Sequence, residues 1–209
     1  MLADLTLKDF LNKVAGNDPV PGGGSIAALN GAVASALAEM VANLTVGKKG
    51  YEACEEQMKQ LAALASGDRQ EFVADIDRDS EAYDRVFACF KMPKATDEEK
   101  TARSAAIQEA TRHAALVPMQ VARNAYALMD RIVQVARNGN RNAVTDACVA
   151  MMAARSAVLG ALMNVRINLG SLKDKEFAAK LQAEADELEL LACRKEKELL
   201  DDINKELRV

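Results

Sequence analysis

Residues 25–46 read SIAALNGAVASALAEMVANLTV and form the most apolar stretch of the 209-residue chain. The stretch is long enough to cross a membrane as a helix, but four polar side chains interrupt it: Asn30, Ser35, Glu39 and Asn43. Ala27, Gly31 and Ser35 recur at every fourth position, so they share one helix face and let a neighbouring helix approach closely. We therefore predict that this segment, with Ser25 as its N-cap, is the central helix of a soluble bundle.

The segments on either side have helical periodicity as well. A short amphipathic helix is predicted over residues 5–15, where Thr6 and Asp9 have capping-box spacing. Four long helices follow the apolar stretch: residues 52–90, in which Ser66 and Gly67 favour a break, 97–137 with a kink at Pro118, 143–169 and 175–207. No run alternates as a strand does. The sequence predicts an all-α single domain over residues 1–209, a bundle of about five long antiparallel helices with a short N-terminal helix.

Composition and charge narrow the class of protein. Half of the residues are hydrophobic and 28% are charged, which is typical of a folded soluble protein. A formal net charge of −4 disfavours a nucleic-acid partner. The four cysteines lie far apart without a CxxC pair or a nearby histidine, so neither a metal site nor a disulfide framework is expected. The N-terminal segment has none of the features of an export signal, and we expect a cytoplasmic protein with no membrane partner.

The sharpest local signal is the sequence Pro-Gly-Gly-Gly-Ser at residues 21–25, directly before the apolar helix. Gly22, Gly23 and Gly24 let the backbone approach a ligand closely, and the free N–H groups of a helix start attract an anion or a polarised carbonyl oxygen. No Gly-Lys-Ser/Thr follows, so this is not a P-loop. The alternative is a flexible connector with a helix cap.

Carboxylates and amides supply the other candidate groups. Asp79 and Tyr83 are four residues apart and share a helix face, although the surrounding acidic run is also typical of a solvated face. Asp146 has apolar neighbours, so its carboxylate needs a partner or a role. Asn164 and Asn168 interrupt an apolar segment at the same spacing, and they either bind a flat heterocycle or tie helices together.

Basic residues offer weaker signals. Lys48 and Lys49 lie between two glycines, where they either hold the anionic tail of a ligand or form a solvated helix end. His113 is the only histidine, and its position beside Arg112 favours an exposed surface residue. A Ser-His-Asp or Cys-His mechanism would depend on that single residue, so carboxylates, lysines and amides are left to carry any reaction.

Several motifs together resemble the cyclodeaminase/cyclohydrolase family of tetrahydrofolate enzymes. The two longest are PVPGGGSIAA at residues 19–28 and MVANLTVGKKGY at residues 40–51. The others are DSEAY at residues 79–83, MPKATDEEK at 92–100, Val117-Pro118, Gly139-Asn140, Thr145-Asp146 and NVRINL at 164–169. The resemblance covers nearly the whole chain in order; Thr145 and Met92 depart from the residues that family members usually carry.

The resemblance implies a folate enzyme of one-carbon metabolism that acts as a homodimer with no metal and no cofactor beyond its tetrahydrofolate substrate. The expected activity is hydrolysis of 5,10-methenyltetrahydrofolate to 10-formyltetrahydrofolate. The alternatives are formiminotetrahydrofolate cyclodeaminase, which releases ammonia, and a non-enzymatic dimerisation scaffold. On this hypothesis the catalytic residues are Asp79, Asp146 and Lys48. The expected substrate contacts are Gly22, Gly23, Gly24, Ser25, Lys49, Tyr83, Lys94, Asn140, Asn164 and Asn168.

Overall fold

The computed structural model describes residues 1–207, which contain helices and no strand. A short helix α1 (Leu7–Val14) precedes five long ones, and this confirms the predicted fold class. The long helices are α2 (Gly23–Asn43), α3 (Glu55–Phe90), α4 (Asp97–Asn138), α5 (Val144–Leu169) and α6 (Lys175–Leu207). Short 3-10 turns lie at Leu2–Asp4, Glu52–Cys54 and Arg141–Ala143.

Helices α2, α3, α4 and α5 pack as an antiparallel four-helix bundle, and α6 lies against α5 and α4. The small-residue face of α2 lies in the core, as predicted. A Cβ atom on Gly31 would be 2.7 Å from the ring of Phe72, and a Cβ atom on Gly160 of α5 would be 3.3 Å from that of Ala27. These contacts explain why the central helix is rich in alanine and glycine: larger side chains would push α3 and α5 away.

Two predictions about helix boundaries were wrong. Ser25 is not the N-cap of α2, because the helix already begins at Gly23 with Gly22 as its N-cap. Helix α3 does not break at Gly67, which is exposed and where an added Cβ atom would meet no neighbouring atom within 4 Å. A mid-helix glycine costs only about 1 kcal/mol, and the packing of α3 against α2 and α4 outweighs that cost. The predicted capping interactions at Thr6 and Thr96 are both present.

The two most apolar helical segments are only partly covered within one chain. Gly23–Asn43 and Arg141–Leu169 are each long and apolar enough to span a membrane, yet they form the core of the bundle. In their most apolar windows, 56% and 44% of the residues are buried. The side of the bundle formed by α2 and α5 therefore carries a row of exposed apolar side chains: Val33, Met40, Leu44, Val149, Met152, Met163 and Ile167.

Candidate active site

A pocket opens at the end of the bundle where α2 begins and α5 ends. Its volume of about 320 Å³ suits a small ligand. It is lined by Pro19, Val20, Gly22, Gly23, Gly24, Asp79, Ala82, Tyr83, Val86, Ala114, Asn164, Ile167 and Asn168. Past Tyr83 the pocket continues into an adjoining cleft of about 640 Å³. The structure thus brings together the glycine turn, Asp79, Tyr83 and both asparagines, which are distant in sequence.

Asp79 of α3 lies against the first turn of α2, and Gly24 makes this approach possible. A Cβ atom on Gly24 would be 1.9 Å from Asp79 Oδ1, so any larger residue would displace the carboxylate. The Ser25 hydroxyl is 3.1 Å from Asp79 Oδ2 and 3.0 Å from the carbonyl oxygen of Ile76, to either of which it can donate. The carboxylate therefore faces the positive end of α2, where Gly22 offers no side-chain cap.

Burial sets the protonation behaviour of Asp79. Burial raises the pKa of its carboxyl group above the ordinary value, while hydrogen bonds from the hydroxyl and the backbone N–H of Ser25 lower it by less. The carboxyl group therefore holds a proton more readily than an exposed aspartate does. A carboxyl group of this kind beside a cavity is suited to accept a proton from a ligand and to return it.

Tyr83 lies one helical turn after Asp79, and the predicted shared face is confirmed because both residues line the pocket. The Tyr83 ring stacks on Phe87 with 6.3 Å between the ring centroids. With 40% of its surface exposed, the residue offers an aromatic face and a hydroxyl group at the mouth of the pocket.

Asn164 and Asn168 project from the last turns of α5. Asn164 Nδ2 donates to the carbonyl oxygen of Gly160 at 2.8 Å. Asn168 Nδ2 donates to the carbonyl oxygens of Ala114 at 3.0 Å and Asn164 at 2.8 Å. These bonds use both hydrogens of the Asn168 amide nitrogen, so its Oδ1 atom remains as an acceptor at the pocket. Asn168 therefore ties α5 to α4, which is one of the two alternatives that the sequence left open, and it also lines the pocket. Binding of a heterocycle by the two asparagines stays a prediction.

The adjoining cleft is acidic, a property that the sequence interpretation missed. Its wall includes one lysine, Lys13, and four carboxylates: Asp18, Asp77, Glu81 and Asp84. The sequence signal for an acidic cleft was the run of Asp75, Asp77, Asp79 and Glu81 on α3. On sequence alone, however, such a run is typical of a solvated helix face. Together with Asp79, these carboxylates create a negative potential that attracts a cationic ligand.

Four other predicted site residues lie at the opposite end of the bundle. Lys48 and Lys49 follow the end of α2, Asp146 is in the first turn of α5, and Asn140 lies between α4 and α5. Asn164 lies eighteen residues after Asp146 in the same helix, about 27 Å along the axis. Within one chain these residues therefore do not reach the pocket.

The far-end residues differ in what they contact. Asn140 is buried, and its Nδ2 atom donates to the carbonyl oxygen of Leu44 at 3.2 Å, so its side chain holds the turn before α5. Lys48 and Asp146 are half-buried and Lys49 is exposed. The side chains of these three residues make no hydrogen bond and no ion pair among residues 1–207.

Lys94 lies in the exposed loop between α3 and α4, at the same end as the pocket but outside its wall. Asp79 is eleven residues before the end of α3, about 16 Å along the helix axis. His113 is exposed, as predicted. In the part of the chain that the structure describes, no group of three or more His, Cys, Asp or Glu side chains could hold a metal ion.

The sequence and the helical bundle place the chain in a known class of protein. The formiminotransferase-cyclodeaminase family matches residues 6–187, and the chain belongs to this family. It is 41% identical to the methenyltetrahydrofolate cyclohydrolase of Methylorubrum extorquens over 85% of this chain and 86% of that protein.

Two further relatives carry cyclodeaminase names. The chain is 33% identical to the formimidoyltransferase-cyclodeaminase of Rattus norvegicus over 86% of its own length, but it spans about a third of that longer protein. The crystal structure of formiminotetrahydrofolate cyclodeaminase from Thermotoga maritima superposes with a TM-score of 0.83 at 31% identity. This alignment covers 97% of the present chain and 99% of the other.

Proposed function

We propose that the protein is a methenyltetrahydrofolate cyclohydrolase, which converts 5,10-methenyltetrahydrofolate and water to 10-formyltetrahydrofolate and a proton. The observation that carries this proposal is the half-buried Asp79 carboxylate at the start of α2, in a pocket that opens into an acidic cleft. The one-carbon bridge of the substrate is a cationic N–C–N group, which a negative site attracts. The relative from Methylorubrum extorquens, which aligns over most of both chains, supports the same assignment.

In the first step, water adds to the bridging carbon and Asp79 takes a proton from it as the new C–O bond forms. The bridging carbon already bears positive charge, so neither a metal ion nor another cofactor is needed to activate it. The raised pKa of Asp79 makes its carboxylate a stronger base than an exposed aspartate.

In the second step, the tetrahedral adduct breaks the bond between the former bridge carbon and N5. Asp79 returns its proton to N5 as this nitrogen leaves, and the hydroxyl group of the adduct loses its proton as the formyl C=O forms on N10. One water is consumed and one proton is released. Asn164, Asn168 and Tyr83 contact the heterocycle, and the turn at residues 22–24 holds its polar edge. Ser25, a predicted substrate contact, is fully buried and lies outside the pocket wall, so it acts through its hydrogen bond to Asp79.

Cyclodeamination of 5-formiminotetrahydrofolate is the second candidate, favoured by the superposition on the Thermotoga maritima enzyme. In that reaction Asp79 would protonate the departing ammonia as N10 closes the ring. Assaying both substrates side by side separates the two activities, because only one reaction releases ammonia.

We also propose that two copies of the chain form a homodimer through the outer faces of α2 and α5. The apolar row on these faces includes Val33 at 44% exposure, Met163 at 56% and Ile167 at 76%. A contiguous apolar surface of this kind is typical of a subunit interface. A second copy on these faces would remove this apolar row from water, which suits a cytoplasmic protein.

The dimer would also complete the site. A twofold axis in the interface plane and perpendicular to the helices places the far end of one copy beside the pocket of the other. Lys48, Lys49 and Asp146 of the second copy would then lie near Asp79. The lysines would hold the anionic glutamate tail of the folate, and Asp146 would be the second carboxylate near the cationic bridge. Lys94 is proposed to reach the same tail from the loop after α3.

The activity is tested by following the loss of the methenyl chromophore with purified protein against a buffer blank. We expect acceleration by the native protein and its loss in Asp79→Asn. Asp68→Asn is the matched control, because Asp68 is another α3 carboxyl group whose pKa is raised by burial and it lies outside the pocket. Absence of acceleration with either folate substrate would contradict the proposal and favour a scaffold.

The shared site is tested by mixing two inactive variants, Asp79→Asn and Asp146→Asn, under conditions that exchange subunits. If each site takes Asp79 from one chain and Asp146 from the other, a mixed dimer contains one intact site, so about a quarter of the native activity returns. If Asp146→Asn is already fully active, or if mixing restores nothing, Asp146 is not part of a shared site.

The interface itself is tested by light scattering. The native protein is expected at twice the chain mass of 22.5 kDa, and Val33→Glu at the mass of one chain. Leu116→Glu is the matched control, because Leu116 is 37% exposed and lies in the groove between α3 and α4 on the other side of the bundle. A native protein that is monomeric at micromolar concentration would refute the dimer.

A further inference from the structure

We propose that Pro118 is a positioning residue for substrate binding. Because proline has no backbone N–H, it leaves the carbonyl group of Ala114 free to accept a hydrogen bond from Asn168, and this bond orients the Asn168 side chain. This inference rests on the function proposed above and concerns the same pocket. Pro118 contacts no group that reacts; it would act through Ala114 of its own helix and Asn168 of α5.

The first link is the interrupted hydrogen-bond ladder of α4. Pro118 is buried within the helix Asp97–Asn138. In an α-helix the N–H of each residue donates to the carbonyl oxygen four positions earlier, which for position 118 is that of Ala114. Proline has no N–H to donate. Ala114 is only 7% exposed, so its carbonyl oxygen needs a donor from elsewhere in the protein.

The second link is the donor that α5 supplies. Asn168 Nδ2 lies 3.0 Å from the carbonyl oxygen of Ala114 and 2.8 Å from that of Asn164. Both neighbours are acceptors, so the nitrogen of the amide must face them. The oxygen then points away from the two carbonyls, and no donor among residues 1–207 lies within hydrogen-bonding distance of it.

The third link is the consequence for the ligand. Ala114 and Asn168 both line the pocket, so the hydrogen bond between them is part of its wall. The fixed amide presents an acceptor oxygen, which matches the N–H and NH₂ donors on the edge of the folate heterocycle. With alanine at position 118, the ring that clashes with the carbonyl group of Ala114 is gone and a helical N–H donor is restored. The carbonyl oxygen would then turn toward residue 118, which weakens the hydrogen bond from Asn168 Nδ2 and lets this amide rotate.

The test is the kinetics of Pro118→Ala. The acceptor contact is made equally before and during the reaction, so its loss should raise KM with kcat unchanged. The free energy of a typical hydrogen bond corresponds to a rise in KM of about three- to tenfold. Pro93→Ala, in the exposed loop before α4, is the matched control and should leave KM unchanged.

A double-mutant cycle separates positioning from a general effect on folding. In an Asn168→Ala background, Pro118→Ala should cause no further rise in KM, because the side chain on which it acts is gone. An unchanged KM in Pro118→Ala, or an equal effect of Pro118→Ala with and without Asn168, would overturn the proposal.

The role of Pro118 can also be measured without turnover, through the mobility of the Asn168 side chain. Hydrogen exchange of the Asn168 side-chain amide, followed by NMR, should be faster in Pro118→Ala than in the native protein. If the native protein hydrolyses no folate, the proposed function fails while this measurement still decides whether Pro118 orients Asn168. Unchanged amide exchange would refute the positioning role whatever the activity.

Discussion

Gly24→Ala should inactivate the enzyme while leaving it folded. The new Cβ atom would be 1.9 Å from Asp79 Oδ1, and ordinary van der Waals contact begins at 3.4 Å. The carboxylate must therefore retreat by about 1.5 Å, and a misplacement of about 1 Å at a reacting group can cost about 100-fold in rate. That loss corresponds to about 2.7 kcal/mol of transition-state stabilisation.

The cost in stability should be smaller than the cost in activity. Moving Asp79 breaks its hydrogen bonds to Ser25, worth about 1–3 kcal/mol, while alanine is favoured over glycine in a helix by up to about 1 kcal/mol. The net loss of about 0–3 kcal/mol lowers Tm by at most roughly 12 °C in a chain of this size. The variant should therefore still be folded at 25 °C.

The assay is methenyl chromophore loss at saturating and at low substrate, with thermal unfolding measured on the same samples. Gly67→Ala is the matched control, because it makes the same chemical change at an exposed position with no atom within 4 Å of the new methyl group. It should keep native activity and gain about 0.5–1 kcal/mol of stability. A Gly24→Ala enzyme that retains more than a third of native kcat/KM would refute the assignment of Asp79.

Three further predictions concern charge and capping. In Asp79→Asn the stability difference from the native protein should change as the pH rises above 3.8, the ordinary pKa of an aspartate. The raised pKa of Asp79 means that the folded state binds more protons than the unfolded state in this range, so only the native protein loses stability from this group as the pH rises. Parallel slopes of stability against pH in urea titrations would contradict this. Ser25→Ala removes a hydrogen bond to the ionised carboxylate of Asp79, so the pKa of Asp79 should rise further. The acidic limb of the pH–rate profile should then move to higher pH. An unmoved limb would show that Asp79 is not the base. In Thr96→Ala, loss of the capping box at the start of α4 should cost about 1 kcal/mol with activity unchanged, as measured by thermal unfolding and chromophore loss.

The fold was predictable because its signals are local. Capping residues such as Thr96, the turn at Asn138–Asn140 and the apolar periodicity each act within a few residues. The small residues of α2 also indicated close helix packing, which Gly31 against Phe72 confirms. The errors arose where tertiary contacts override local preference. Gly67 stays helical because α3 is packed along its length, and Ser25 is drawn inside the first turn of α2 by Ile76 and Asp79.

The site was predictable only where helix periodicity brings residues together. The i, i+4 spacing places Asp79 with Tyr83 and Asn164 with Asn168, whichever helices they lie on. That these two pairs meet at the glycine turn follows from the antiparallel order of α2, α3 and α5, which the spacing does not contain. Lys48 and Asp146 were grouped with them through the family resemblance.

A resemblance between sequences carries no information about which copy of the chain supplies each residue, since every copy has the same sequence. The single chain places Asp146 about 27 Å along α5 from Asn164, so a joint role with Asp79 requires a second copy. The half-covered faces of α2 and α5 offer the surface on which that copy would pack. Because α5 keeps Asp146 and Asp79 of one chain apart, the two residues can act together only in a site shared between two copies. Mixing Asp79→Asn with Asp146→Asn tests this directly.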